Sequence, residues 1–483
     1  PSTMTTQAPI EIRAGDLKPV IAGLGKVIQK KATLSALRCV KVEALNRQSV
    51  QFTATDLDIT LRIEVPGTTA AKMESFLLPL DLLRDRVKGH KAGDTLQLGP
   101  VKQSIPVSEF PDTPVFRATT VPLQDEEATS LMRAFACASQ DPTRHVLRGA
   151  YLDTSGTGPK SHRIVATDGR HLFSSNSLHL PKIKQPVILP DHKLWQWKPI
   201  AESRPWTLRL GSSKAGVTPF RISGPFWSIR GNCLEGNFPN YRQVIPPASD
   251  FKTSVEMSEE ICKAITDLIP KLPGKNLDNR PVGIRVDKGL VSLLARDAND
   301  EPWQLYPIGK ASVKGPNVTT FAKRDYVERA FRYGLTELNT SDEISPLQFS
   351  RKGDLMIVMP LRVTDADKVK HRKDTKPVIN SRGSKPASPQ KKQPRRKSTT
   401  PSKKKVVKKK SATKRTSHPD PLNEAETRIA EANQALRSVG KDLKSATGSL
   451  KKVRKQRSAD QEELSGFRSL LRSIKHFGKG SHN

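Results

Sequence analysis

One strand ending occurs three times in this chain. Gln51-Phe-Thr-Ala-Thr-Asp56-Leu-Asp is followed by Arg163-Ile-Val-Ala-Thr-Asp168-Gly-Arg and, more faintly, by Ser292-Leu-Leu-Ala-Arg-Asp297-Ala-Asn. A second landmark, Glu109-Phe-Pro-Asp, returns as Asn237-Phe-Pro-Asn. Two independent markers thus give a period of about 120 residues, the mark of repeated structural units. Three copies fit into the first 363 residues, read as 1–122, 123–248 and 249–363.

Within each copy, alternating runs such as Ser49-Val-Gln-Phe-Thr-Ala-Thr and Ile357-Val-Met read as strands between short helical patterns, so the expected class is α+β with largely antiparallel sheets. Two helices are expected per copy. In the first, Leu17, Val20, Ile21, Leu24, Val27 and Ile28 fall at helical spacing behind Asp16, read as an N-cap, and a second helix is expected over 79–89. The second copy offers 125–140 and 190–200; the third offers 258–269, opened by Ser258-Glu-Glu, and 321–334.

Charge divides the chain differently. Of the net +34, residues 364–483 carry 33 Lys+Arg against 11 Asp+Glu, leaving 49 against 37 for residues 1–363. Such an excess suits a polyanionic partner, nucleic acid before anionic membrane. Residues 364–420 are rich in Lys, Ser, Thr and Pro and too poor in bulky apolar groups to offset chain entropy, so a disordered basic linker is expected there. Over 421–477, Leu422, Ile429, Leu436, Leu443, Leu450, Leu464 and Leu471 keep a heptad broken only at Arg457, which reads either as a coiled coil with a partner chain or as an amphipathic helix packed on its own chain.

Catalysis finds little footing. No phosphate-binding loop, G-x-S-x-G, H-E-x-x-H or EF-hand spacing occurs, and Cys39, Cys137, Cys233 and Cys262 are too scattered for a zinc site or a disulfide framework. They read as small buried hydrophobes. No catalytic residue, metal or cofactor is therefore expected. Asp56 and Asp168 recur at equivalent strand ends, where a carboxylate accepts backbone N–H bonds, and His171 beside Asp168 reads as a satisfied imidazole. Gly23-Leu24-Gly25 lies inside a helical pattern instead of after a strand and lacks a third glycine, so it is not a dinucleotide loop. The absence of an apolar run of membrane-spanning length and of a signal-peptide plan at the start leads to an expected place in the cytoplasm, at the nucleoid.

The helices share a basic bias: Lys26, Lys30 and Lys31; Arg84 and Lys88; Arg133; Lys193 and Lys198; Lys263; and Lys323, Arg324, Arg329 and Arg332. If two chains place six such units and twelve helices around a closed ring, interaxial spacings of about 8–10 Å give a channel a little over 30 Å across between axes, wide enough for duplex DNA. Phosphate contacts of this kind are blind to sequence and sensitive to salt.

Here Lys31-Ala-Thr-Leu-Ser-Ala-Leu, Thr53-Ala-Thr-Asp-Leu-Asp, Val165-Ala-Thr-Asp-Gly-Arg-His-Leu, Asn237-Phe-Pro-Asn-Tyr-Arg-Gln-Val-Ile-Pro and Val358-Met-Pro-Leu-Arg-Val are informative together. In their order and spacing the chain, over about residues 7–363, resembles the bacterial DNA polymerase III beta sliding clamp family. The resemblance implies a DNA-clamp fold of three similar domains per chain and a head-to-tail homodimeric ring on double-stranded DNA. It also implies a non-enzymatic processivity factor, served by a clamp loader, that tethers a DNA polymerase through short peptides. Carried over position by position, the peptide groove would comprise Leu147, Thr167, Gly169, Arg170, His171, Leu172, Pro239, Val244, Val358, Met359, Pro360, Leu361 and Arg362. The chain departs from the family pattern in several places. Gly169-Arg170-His171-Leu172 stands where the family usually reads Gly-His-Arg-Leu, Gln243 stands where a second arginine is common, and about 120 residues follow the usual end. The clamp-like part is also basic where family members are usually acidic. The competing expectation is a clamp-derived DNA-organising protein that bridges or compacts DNA through its basic tail and coiled coil.

Overall fold

The computed structural model describes residues 10–370 except 70–73, 102–104, 159–160, 214, 364 and 367. The expected coiled coil over 421–477, and nearly all of the expected linker over 364–420, lie outside the described residues.

Six α-helices lie among the described residues: α1 (Ala14–Val27), α2 (Leu80–Val87), α3 (Asp125–Cys137), α4 (Lys198–Glu202), α5 (Glu259–Leu268) and α6 (Arg324–Arg332). In α1 the apolar residues at three- and four-residue spacing, Leu17, Val20, Leu24 and Val27, are all buried. Asp16, expected as its cap, sits instead in the first turn beside Arg13, 2.9 Å away. α5 is capped as expected, with the Ser258 hydroxyl accepting from the Ile261 N–H. The expected helix over 190–200 is interrupted: a 3-10 turn, Lys193–Gln196, ends at extended Trp197, and the chain restarts as α4 with Pro199 in its first turn, where a missing N–H costs nothing.

The order of elements repeats with the sequence. Copy two runs from the strand Ala118–Leu123 through α3, then Gly149–Asp153, Arg163–Thr167, His171–Ser174 and Val187–Pro190, then α4, and ends with Trp206–Gly211, Pro219–Ser223 and Trp227–Asn232. Copy three follows the same order from Thr253–Glu256 to Asp354–Val358, with one added edge strand, Ser312–Lys314. Copy one begins likewise: Ile10–Arg13, α1, Cys39–Asn46, Ser49–Thr55, Ile59–Pro66, Phe76–Pro79, α2 and Thr95–Leu98. There it stops. Among the described residues it has no counterpart of the final hairpin, so the three copies are unequal, whereas the sequence period implied equal ones.

That hairpin is what joins the copies. The last strand of copy two, Trp227–Asn232, pairs with Ile59–Pro66 of copy one to make an eight-stranded antiparallel sheet. The last strand of copy three, Asp354–Val358, pairs with His171–Ser174 at the equivalent place in copy two to make a nine-stranded one. The equivalent strand of copy three, Trp303–Lys310, is treated differently. It carries Pro307, which has no N–H to offer a neighbour, and a bulge opposite Val291 and Ser292. Val369–Lys370 lies parallel against its first residues. Beyond Val363, where the chain is expected to be unstructured from its start, Asp365 is paired to Arg296 and Val369–Lys370 is a strand.

One apolar core spans copies one and two and a second fills copy three. At the first junction α1 crosses Trp197 at Gly23, where an added Cβ would lie 2.8 Å from the indole, and the Trp197 Nε1–H donates to the Pro19 carbonyl at 3.1 Å. Close packing, and not a ligand loop, accounts for that glycine. The four cysteines are free and buried. No helix among the described residues is long and apolar enough to cross a membrane.

Candidate functional site

The Thr-Asp strand endings are backbone-bonding turns. In copy one the Asp56 carboxylate accepts from the Ile59 N–H at 2.8 Å, while the Thr55 hydroxyl donates to the Ile59 carbonyl. In copy two Asp168 Oδ1 accepts from the N–H groups of Arg170 and His171 at 2.8 and 3.0 Å, and the Thr167 hydroxyl donates to the His171 carbonyl at 2.6 Å. Gly169 takes φ +86° in this turn, a conformation that suits glycine. In copy three Asp297 accepts from the Gly274 N–H instead. The expected structural role of these carboxylates holds.

The copy-two turn does more, because it faces copy three. Tyr326 of α6 donates its hydroxyl to Asp168 Oδ2 at 2.6 Å and stacks on the His171 ring with centroids 4.1 Å apart. Arg329, one turn on, places Nη1 2.9 Å from His171 Nε2. A guanidinium only donates, so Nε2 accepts and the ring presents its Nδ1–H to Asp168, 2.8 Å away. Burial pushes the Asp168 carboxyl up, but its bonds from His171 and Tyr326 together outweigh that and hold it well below the usual carboxylate range. His171, nearly inaccessible in this arrangement, is a strut between the two copies. Further out, Arg133 of α3 bonds Asp354 Oδ2 at 2.7 Å and the Tyr333 carbonyl at 2.9 Å, and Tyr333 donates its hydroxyl back to the Arg133 carbonyl.

Beside this junction lies a cavity of about 730 Å³, lined among others by Phe135, Arg144, Arg170, His171, Trp195 and Tyr326. Of the residues expected in a peptide groove, only Arg170 and His171 reach it. The others are distributed by the sheet. Met359 and Val244 are exposed, at 47% and 52%, and Pro239, Gly169 and Arg362 are also exposed. The Met359 N–H donates to the Arg170 carbonyl, which ties the turn to the end of the last strand. Leu147 and Pro360 are half-buried. Leu361 packs with Leu294, Trp303, Leu305 and Phe321. Val358 and Leu172 are corrections: both are buried sheet residues, Val358 at 0% exposure and Leu172 beneath Tyr241, so neither offers surface to a peptide. Thr167 is buried as well, with its hydroxyl committed to the turn.

The basic residues sort similarly. Lys30, Lys31, Lys88, Lys193, Lys198 and Lys263 are exposed on or beside the helices, and Lys26 is half-buried. Lys198 faces Glu202 at 3.4 Å, Arg84 bonds Asp81 at 2.7 Å and Arg332 pairs with Glu328. Lys323 lies over the Tyr326 ring. Arg324 is a correction: it is wholly buried and donates to the carbonyls of Leu272 and Pro273 at 3.0 and 2.6 Å, so it holds copy three together and reaches no ligand. Arg133 and Arg329 are likewise spent on the junction. Sequence reasoning missed this network because its members come from four separate segments; the one visible sign was an aromatic and an arginine, Tyr326 and Arg329, at helical spacing.

No protein-family model matches the chain, and no curated protein matches it in sequence. Its fold does match solved structures. Over 74% of this chain and the whole of the other, it superposes on a sliding clamp (DNA polymerase III subunit beta) from Pseudomonas aeruginosa bound to griselimycin, with a TM-score of 0.60 at 18% identity. The DNA polymerase III beta subunit from Thermotoga maritima matches over the same shares with a TM-score of 0.57 at 19% identity. That from Borrelia burgdorferi, in complex with a natural product, gives 0.60 at 14%. The chain has the sliding-clamp fold of three repeated α+β units.

Proposed function

We propose that the chain is a clamp-like DNA tether without catalysis of its own, acting in the cytoplasm at the nucleoid. The clamp fold carries this reading, supported by the lysines exposed on or beside its helices. Those lysines meet phosphates, a contact that holds DNA without reading its sequence. Met359 and Val244, both exposed, are the assigned contacts for peptides of a DNA polymerase or clamp loader, together with Pro239, Leu147 and Arg170. An aliphatic anchor there is the sort of contact that dominates such binding.

The manner of closure separates two forms of this function. In a head-to-tail homodimeric ring, the edge of Trp303–Lys310 would receive the last strand of a partner's copy one, by the rule both internal junctions follow. Copy one has no such strand among its described residues, which favours the second form: a clamp-derived protein that organises DNA without a ring closed through its sheets, using its basic tail and a coiled-coil partner to bridge duplexes.

Retention on nicked circular against linearised DNA distinguishes them. A closed ring stays on the circle and slides off free ends, whereas an open tether leaves both at one rate and fails to stimulate a polymerase. Absence of any DNA retention at physiological salt would end both.

A further inference from the structure

Positive charge is also concentrated on the side of the sheets that faces away from the helices. Across the first junction, Ile59–Pro66, Trp227–Asn232, Pro219–Ser223 and Trp206–Gly211 lie side by side. Leu61 and Ile63, Trp227 and Ile229, Phe220 and Ile222, and Leu208 and Leu210 enter the core. Successive strand residues point to opposite faces, so those between point outward. Arg62, Arg230, Arg221 and Arg209 are among them, one on each strand.

Their register brings them together. Arg221 stands opposite Arg230 on one side and Arg209 on the other, and Arg62, opposite Ser228, lies two residue pairs along from Arg230. With strands about 4.8 Å apart, the four positions span on the order of 15 Å. Like charges facing each other across strands work against the fold, and none of the four makes an ion pair or side-chain hydrogen bond among the described residues. Arg230 lies 4.8 Å from the Phe116 ring, and its Nη1 is buried without a partner. Burial, and after it the charges of Arg62 and Arg209, hold the Arg221 guanidinium below its ordinary pKa. The carboxylates on this face are engaged elsewhere, Glu43 with Lys41 and Glu64 with Ser49. Hydroxyls from Thr60, Thr207, Ser223 and Ser228 fill the positions between.

We propose that this outer stripe is a second binding surface for the phosphate backbone of duplex DNA, distinct from the helical face. A row of unpaired arginines with interspersed hydroxyls suits phosphate oxygens. At about 3.4 Å of axial rise per phosphate on one strand, it faces roughly four of them. Single-stranded binding by base stacking needs a free aromatic platform, and here Phe116 is covered by Arg230. Two DNA-binding faces on opposite sides of the sheets let one chain hold two duplex segments, which goes beyond the tether reading.

The test is fluorescence anisotropy of the full chain with a labelled 30-base-pair duplex, titrated across salt. In the triple variant Arg62→Gln, Arg209→Gln, Arg221→Gln, the slope of log K against log salt should flatten by about 2.7, at 0.9 per lost contact. Between 50 and 200 mM salt the unaltered chain then loses on the order of 40-fold more affinity than the variant. Lys30→Gln with Lys263→Gln reports on the helical face and the tether reading separately, and its loss should add to that of the triple variant. Should the triple variant misfold, Arg221→Gln alone should flatten the slope by about one and Arg221→Lys, which keeps the charge, should not. A triple variant that folds and keeps the original slope, or equal slopes for Arg221→Gln and Arg221→Lys, overturns the proposal.

Discussion

Replacing Tyr326 with Phe removes one oxygen from the contact between copies two and three and leaves the ring that stacks on His171 in place. The lost bond, 2.6 Å long, goes to an ionised carboxylate. Hydrogen bonds to charged groups contribute about 1.5–3 kcal/mol, and since the Asp168 side chain keeps 21% of its exposure the lower half of that range, about 1.5–2 kcal/mol, is expected. For a body of this size that corresponds to a fall in Tm of about 2–3 °C near neutral pH.

The effect should depend on pH in a definite direction. Asp168 has a depressed folded-state pKa, so its contribution is complete above the unfolded value, about 3.9, and is lost as pH falls through the folded one. Without the Tyr326 hydroxyl the folded pKa moves back towards the ordinary value. The two proteins then differ in proton uptake only between their two folded pKa values. Differential scanning fluorimetry at several pH values should show a gap that is constant from pH 7 to about 4 and shrinks only as pH falls through the variant's folded value, which lies below the ordinary carboxylate range. No gap at pH 7, or one that already closes between pH 7 and 5, would refute the assignment of Asp168 as an ionised strut.

Arg324→Met should lower stability by about 3 kcal/mol or more, because it strips carbonyls of Leu272 and Pro273 of a buried donor, while the salt slope for DNA stays unchanged in anisotropy titrations. Met359→Ala should weaken a bound partner peptide by about 2 kcal/mol in calorimetry with little change in Tm, whereas Leu361→Ala, in its cluster with Trp303, should cost about 2–3 kcal/mol of stability. Gly23→Val should loosen the first junction by at least about 1–3 kcal/mol, since even a Cβ meets the Trp197 indole; urea unfolding followed by tryptophan fluorescence reads it directly.

The fold was legible where local pattern and burial agree. The α1 stripe and the Ser258 cap needed only periodicity and a hydroxyl, and the Thr-Asp endings declared themselves by recurring. The helix over 190–200 was misread because its apolar residues, Leu194, Trp195 and Trp197, are indeed buried, but as a 3-10 turn that Pro199 keeps apart from α4. The site was less legible. Whether Arg324, Arg329 or Lys263 meets solvent depends on which segments pack over the helix, and only Lys263 remains exposed. Val358 and Met359 are neighbours with opposite fates because Val358 ends a strand whose last three residues are all buried, whereas Met359 lies just past its end.

The unequal first copy, by contrast, was written in the spacing of the landmarks. The stretch from Asp56 to Phe110 is markedly shorter than its equivalent from Asp168 to Phe238. Averaging the two markers into one period hides this deficit, which is close to the length of the segment from Pro219 to Asn232 that forms the joining hairpin of copy two. Among the described residues of copy one no strand takes its place to meet another copy three. The edge it would have met is blunted by Pro307 and partly covered by Val369–Lys370, and exposed edges are commonly protected by such means against unwanted pairing. Both ends of the three-unit body are therefore altered in the same sense. A missing hairpin alone would leave a free edge open to chance partners, and a covered edge alone would waste an intact hairpin; together they support the proposed form of the clamp fold, in which the sheets do not close a ring.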